Sequence, residues 1–260
     1  MRCQVLGSGS GGNALLVRAG EISVLVDAGL PLDELERRLE EARVPARRLD
    51  ALLLTHGHLD HARSAGALAR KADATVFCAE RLMRNHAVRR APRFVTLRPG
   101  TEASVNARRG EDRLRIHSAP VPHDASPTYA FRLEHGEKSL LHVTDMGHVP
   151  PSLPPAFLDP DLALIEFNHD RTLLAEGPYP RALKRRVGGD QGHLSNDQAS
   201  RLLDRLRGPR LHTVVLTHLS RTNNRPGLAR SAARRGLGPE AEAVRLEVAS
   251  QDEVGPSLPV

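Results

Sequence analysis

Hydrophobic positions along the chain fall in short runs separated by glycine-rich or charged turns. Residues 2–6, 13–19 and 22–27 are apolar over strand lengths and are interrupted by Gly-rich or Gly-charged breaks. Three short strands and a hairpin-rich start are predicted. Leu32, Leu35, Leu39 and Val44 then recur at helical spacing up to Pro45, and residues 51–54 form an apolar run suited to a buried strand. From there the period alternates. Residues 62–70 and 80–89 predict helices, 75–78 and 94–97 predict strands, and alternating segments follow around Leu114, Phe131 and Leu141. Residues 162–167 and 213–216 read as buried strands, and 181–187, 196–207 and 228–235 as helices. Hairpins mixed with strand–helix units imply an α/β architecture of two sheets with helices outside them. The Pro-rich stretch 149–160 has the composition of a linker, but strands continue on both sides of it. Residues 1–250 are therefore expected to form one domain, with a flexible tail over 251–260, and no internal repeat suggests a solenoid.

Composition adds limits. A chain of 260 residues that is 40% hydrophobic and 26% charged can bury a sizeable core, which excludes fibrous and disordered classes. Aromatics are only 3% with no Trp, so that core is mainly aliphatic. The formal charge of +6 would favour an anionic partner such as nucleic acid. That signal is discounted, because all but three of the 37 basic residues are Arg, a bias that a GC-rich coding sequence also produces. Cys3 and Cys78 cannot build a secreted disulfide framework, and the N-terminus has no apolar signal core. A cytoplasmic location with no membrane partner is the expectation.

The densest chemistry is the string Thr55-His56-Gly57-His58-Leu59-Asp60-His61, directly after the apolar run 51–54. Three imidazoles and a carboxylate at this spacing form a metal-site signature. A loop leaving a strand can aim His56 and His58 at one ion while Asp60 and His61 face a second. Coincidental histidines in a polar loop are the plain alternative; it suits a lone His far better than this string. Asp27, ending the strand 22–27, is expected to orient the ligand loop by hydrogen bonds, in company with Thr55.

The motif T-H-x-H-x-D-H, preceded by a strand ending in Val26-Asp27-Ala28-Gly29, resembles the metallo-β-lactamase superfamily. The resemblance implies a four-layer αββα sandwich with metals at the sheet edges. It further implies a later His, a later Asp and a last His at strand ends, which His123, Asp145 and His218 supply. The implied division puts His56, His58 and His123 on one ion, Asp60, His61 and His218 on another, and Asp145 between them. Such a pair of divalent ions, zinc or manganese, holds a hydroxide for in-line attack on an ester.

Closer similarity spans most of the chain. L-G-S-G-S-G-G-N at 6–13, N-H-D at 168–170, Y-P-R-A-L-K-R-R at 179–186, G-H-L-S-N at 192–196 and H-L-S at 218–220 with Asn223-Asn224 look like the YycJ/WalJ-type branch. Gly11 and Phe167 depart from its usual pattern, and neither is an implied ligand. Members of that branch are regarded as cytoplasmic nucleases linked to 5′ to 3′ exonuclease action on DNA. Asp60 and His193 are then the expected catalytic residues. His193 would bind phosphate or protonate a leaving oxygen, and Ser10, Asn13, Asn168, His169, Ser195, Ser220 and Asn223 are expected to meet substrate. Structural roles compete for several: Ser195 also suits a helix cap, and the basic run Lys184-Arg185-Arg186 suits a solvated face as well as a phosphate track. His86, His117, His135, His142, His148 and His212 are expected to be surface or structural.

Rival readings are weaker. Residues 7–12 formally match the dinucleotide fingerprint G-x-G-x-x-G, but 13–19 is too short and too rich in strand formers to supply the helix it demands. Too few residues separate Asp145 from His218 for an RNA clamp domain. A thioester or lactone hydrolase of glyoxalase-II-like type remains the alternative enzyme, and metal-dependent binding without turnover the alternative class.

Overall fold

A computed structural model describes residues 1–108, 110–125 and 127–260. The chain opens with β1 (Arg2–Gly7), β2 (Ala14–Ala19) and β3 (Ile22–Val26), an antiparallel meander, followed by α1 (Leu32–Glu41) and β4 (Ala51–Leu53). The Gly-rich segment 7–12 turns β1 back onto β2 and no helix follows it, so the dinucleotide fingerprint is formal only. Next come α2 (Leu59–Ala62), α3 (Ala65–Ala72), β5 (Thr75–Cys78), β6 (Arg93–Thr96), β7 (Glu102–Asn106), β8 (Arg113–Val121), β9 (Thr128–His135) and β10 (Lys138–Val143). The remainder is β11 (Leu162–Glu166), α4 (Arg171–Glu176), α5 (Arg181–Val187), α6 (Asn196–Leu206), β12 (Thr213–Thr217), α7 (Pro226–Leu237), β13 (Arg245–Val248) and β14 (Leu258–Pro259).

These strands form two mixed seven-stranded sheets, ordered β14-β1-β2-β3-β4-β5-β6 and β13-β12-β11-β10-β9-β8-β7. In the first, β3 to β6 are parallel; in the second, β10 to β13 are. β4, β11 and β12 are buried along their whole length, which is why, apart from Glu166 and the threonines ending β12, they read as apolar runs. By contacts the chain divides into two compact units, residues 1–119 with 133–138 and 250–260, and residues 120–132 with 139–249. In the first, α1 packs against β1 and α3 against β4 and β5; in the second, α6 packs against β11 and α7 against β13. Among the described residues no helix is long and apolar enough to cross a membrane.

Three expectations need correction. The helix over 62–70 is two helices, because Ser64 leaves the helical path: its N–H donates to Ala28 O and its hydroxyl to Leu30 O, at 2.9 and 2.7 Å. The helix over 80–89 shrinks to a 3-10 turn, Glu80–Arg84. There Asn85 accepts the N–H of Ala87 with its side chain at 2.9 Å and so competes with helix continuation. The expected flexible tail is also structured. Leu258 and Val260 are buried, Leu258 pairs with Cys3, and Gly255 N–H donates to Val5 O at 2.8 Å. Burying these two side chains contributes about 1.5–3 kcal/mol each, and the Arg38 guanidinium adds bonds to Gln251 O and Asp252 O at 3.2 and 3.0 Å.

Candidate metal centre

Most candidate ligands stand where parallel strands end, the edge at which α/β sheets present their chemistry, whereas His123 follows β8, which pairs antiparallel with β7. Reaching that edge strains the backbone. Among the described residues, six non-glycine positions have positive φ, and three of them are Asp27 (62°), Asp145 (52°) and His218 (54°). The left-handed turn brings the chain sharply out of the strand, and a His there is held only by its surroundings.

In the first unit Asp27 is the organising group. It is 1% exposed and accepts from the Thr55 N–H at 2.9 Å, the Thr55 hydroxyl at 2.8 Å and His61 Nδ1 at 2.7 Å. The contact fixes the His61 tautomer, so Nε2 is the nitrogen left for other work. The Asn13 amide approaches that Nε2 at 2.9 Å, and the Asn13 N–H donates to Asp60 O at 2.8 Å. Buried His56 lies with Nδ1 3.0 Å from the Thr55 hydroxyl, and its Nε2 is 3.1 Å from His58 Nδ1. Two nitrogens on one tetrahedral zinc stand about 3.3 Å apart, so this pair is spaced for a shared ion. Asp60 is a quarter exposed, with Oδ2 3.6 Å from His61 Nε2. Gly29 permits the close passage of its loop under α2, since a Cβ there would lie 1.7 Å from Asp60 O.

In the second unit one ligand atom each from Asp145, Glu166, His193 and His218 lies within 4.8 Å of the others. Glu166 is the member that sequence reasoning missed. It is wholly buried at the end of β11, where its carboxylate accepts from the N–H groups of Met146 and Leu194 at 3.0 and 3.3 Å. Its other oxygen lies 2.6 Å from His193 Nδ1 and 3.2 Å from His218 Nδ1. A signal was present: a carboxylate closing an otherwise apolar buried strand needs a cationic or donor partner. Burial opposes the ionised form of Glu166, but His193 and His218 outweigh it and hold the carboxyl down to about 2. Burial likewise disfavours a charged His193, yet the Glu166 and Asp145 carboxylates raise its pKa well above the ordinary 6.5. Each of the two thus favours the charged form of the other. Asp145 accepts from the Thr144 hydroxyl at 3.0 Å and has Oδ1 3.2 Å from His193 Nδ1. His123 is buried with Nδ1 donating to Gly192 O at 2.9 Å.

The expected substrate residues take varied places. Ser10 is exposed in the Gly-rich turn. Asn168 is buried and donates its amide to His218 O at 3.1 Å, while Ser220 N–H donates to Asn168 O at 2.9 Å. Ser195 caps α6 in a capping box with Gln198. Asn223 is buried, its N–H donating to the Ser220 hydroxyl at 3.0 Å. His169 is buried beside Ser195, and burial pushes its imidazole down to about 4, so it is neutral. Asn224 holds the 218–224 loop in place through Phe167 O and Asn196. Of the histidines expected to be structural, His117 faces Glu134, His135 faces Asp112, and His148 meets Asp190 O.

The donor set suits a divalent metal: imidazoles and carboxylates, with Nδ1 of His61, His123 and His218 each engaged by a carboxylate or carbonyl. Comparison with known proteins agrees. A family model described as a β-lactamase superfamily domain matches residues 23–219. The chain is 32% identical over 225 residues to the protein named exodeoxyribonuclease WalJ of Streptococcus pneumoniae serotype 2, covering 86% of this chain and 84% of that one. It is 31% identical over 231 residues to exodeoxyribonuclease YycJ of Bacillus anthracis, covering 87% and 85%. Among solved structures, the metallo-β-lactamase fold protein YhfI from Bacillus subtilis matches with a TM-score of 0.72 and 20% identity, covering 98% of this chain and 99% of that one. The two mixed sheets with their flanking helices are thus the α/β sandwich expected. The chain belongs to the β-lactamase superfamily domain family, in its YycJ-like metallo-β-lactamase branch, and the fold implies that its clustered histidines and carboxylates bind divalent metal.

Proposed function

We propose that the chain is a dinuclear metal-dependent DNA exonuclease working 5′ to 3′, with the two ligand sets serving one hydrolase domain. The substrate class is supported by the relatives named exodeoxyribonuclease, alike over most of both chains. The chemistry is carried by one observation, the 2.6 Å contact between His193 Nδ1 and buried Glu166 within the Asp145–His218 cluster. His56, His58 and His123 would hold one ion and Asp60, His61 and His218 the other, with Asp145 shared; zinc suits the imidazoles and manganese the carboxylates. When bound, the ions supply an activated water and draw charge from the phosphate.

The chain's own residues do the rest. Glu166 fixes the His193 ring through Nδ1 and keeps it protonated, which leaves Nε2 to donate a proton to the departing 3′ oxygen. Asp27 and Thr55 keep the ligand loop in one conformation through the His56 and His61 rings. Asn13 bridges the Gly-rich turn to Asp60 by accepting the Gly9 N–H at 2.7 Å and donating to Asp60 O. Incubating zinc- and manganese-loaded protein with end-labelled DNA, RNA and a thioester panel tests the reading. Stepwise release of nucleotides from the 5′ end of DNA supports it; turnover of thioesters alone overturns it.

A further inference from the structure

α5 is an unusual element of the second unit. None of its seven residues is buried, yet a helix this short does not sustain itself in water. Its neighbours hold it instead. At its middle Lys184 Nζ donates to Ala175 O at 2.6 Å. At its end Gly192 is pressed against the helix, where a Cβ would lie 2.2 Å from Arg186 O and 2.3 Å from Val187 O, and His193 N–H donates to Val187 O at 2.9 Å. The same turn, residues 189–192, reaches the site: Gly192 O accepts from His123 Nδ1, and Gln191 O from Asp124 N–H, both at 2.9 Å. Arg186 completes the frame by pairing with Asp124 at 2.7 Å.

With Arg186 so used, Arg181, Lys184 and Arg185 share one face at spacings of three and four residues. Like charges so placed work against the helix. Among the described residues, no carboxylate lies within ion-pair distance of Arg181 or Arg185, both of them exposed. A helix that is held rigidly, buries nothing and gathers unneutralised cations is built for an anionic partner.

We propose that this face of α5 is a docking track for the phosphate backbone of the nucleic-acid substrate. The 189–192 turn and the His193 N–H bond to Val187 O tie the end of α5 to His193, which holds a docked strand in register with that imidazole. The proposal rests on the nuclease reading above and adds where the strand lies beyond the bond being cut.

The test uses the metal-loaded full chain and the double variant Arg181→Ser/Arg185→Ser, which spares the Lys184 anchor. Binding of a fluorescent phosphorothioate single strand, charged but slowly hydrolysed, is followed against salt; turnover is followed on an ordinary oligonucleotide and on a nitrophenyl phosphodiester too small to reach α5. Loss of two phosphate contacts should flatten the slope of log affinity against log salt by about 1.4 and raise the oligonucleotide KM roughly tenfold, with kcat changed by less than about twofold. Nitrophenyl ester turnover and metal content should stay unchanged, and Arg181→Lys/Arg185→Lys should restore the wild-type slope. The control Arg47→Ser/Arg48→Ser removes two exposed cations elsewhere and should leave the oligonucleotide KM unchanged. An unchanged slope and KM in the α5 variant, an equal loss in the control, or an equal loss on the nitrophenyl ester each overturns the track. Should the wild-type chain hydrolyse neither phosphodiester, the nuclease reading fails by itself, and the salt slope still decides for or against the track.

Discussion

Each compact unit hangs its candidate ligands on one buried carboxylate, and the two are not equivalent. Asp27 accepts from one backbone N–H, one hydroxyl and one imidazole, all within the continuous segment 55–61. Glu166 accepts from two backbone N–H groups and two imidazoles, on segments that leave the chain at 146, 193–194 and 218. The first is a local strut for a preformed loop. The second ties distant segments together, and because it faces His193, its charge also favours the protonated form of that imidazole. One carboxylate therefore serves geometry, the other geometry and proton inventory.

The contrast can be broken in graded ways. Replacing His58 by Ala removes a ligand that no neighbour can replace; metal analysis of the dialysed variant should show the first ion lost and activity at background. Glu166→Gln keeps the shape but leaves one acceptor where two carboxylate oxygens served four donors. With metal supplied in excess, its kcat on DNA should fall by about 10² to 10⁴, the range of a lost general acid. Asp27→Asn should instead weaken metal affinity by about 10- to 100-fold and leave kcat close to wild type once metal saturates. Equal kcat losses in the two variants at saturating metal would mean that the carboxylates do the same work.

The smallest effect is one of pH, read on chelated protein by thermal unfolding. Glu166 has a folded pKa below its ordinary 4.5, so its contribution is present above that value and is lost as pH falls towards about 2. His193 has a raised folded pKa, so its contribution is complete below 6.5 and is lost as pH rises through the raised value. Stability should therefore decline on both limbs, and His193→Ala should flatten the alkaline one. An alkaline limb unchanged in that variant would place its origin elsewhere.

The first unit's chemistry was legible because it is local. Three imidazoles and Asp60 fall in one loop after an apolar strand, and Asp27 ends the neighbouring parallel strand. His123, Asp145 and His218 could be named only through resemblance, since nothing in their spacing says that their strands end near one another. Glu166 stayed hidden for the same reason, for its partners are distant in sequence. The helix over 80–89 failed because the Asn85 side chain bonds the backbone N–H two residues on, and the tail because Leu258 and Pro259 pair with β1. Local patterns can be read one element at a time, whereas Glu166 and β14 are decided by what the fold brings to them.

In the proposed mechanism His193, charged by Glu166, donates the proton that the leaving oxygen needs. The direct measurement compares His193→Ala with wild type, metal-loaded, on DNA and on a nitrophenyl phosphodiester whose leaving group needs no proton. In His193→Ala kcat on DNA should fall by about 10² to 10⁴ while the nitrophenyl ester changes by less than about threefold and metal content is unaltered. Equal slowing of both substrates, or of neither, would contradict it.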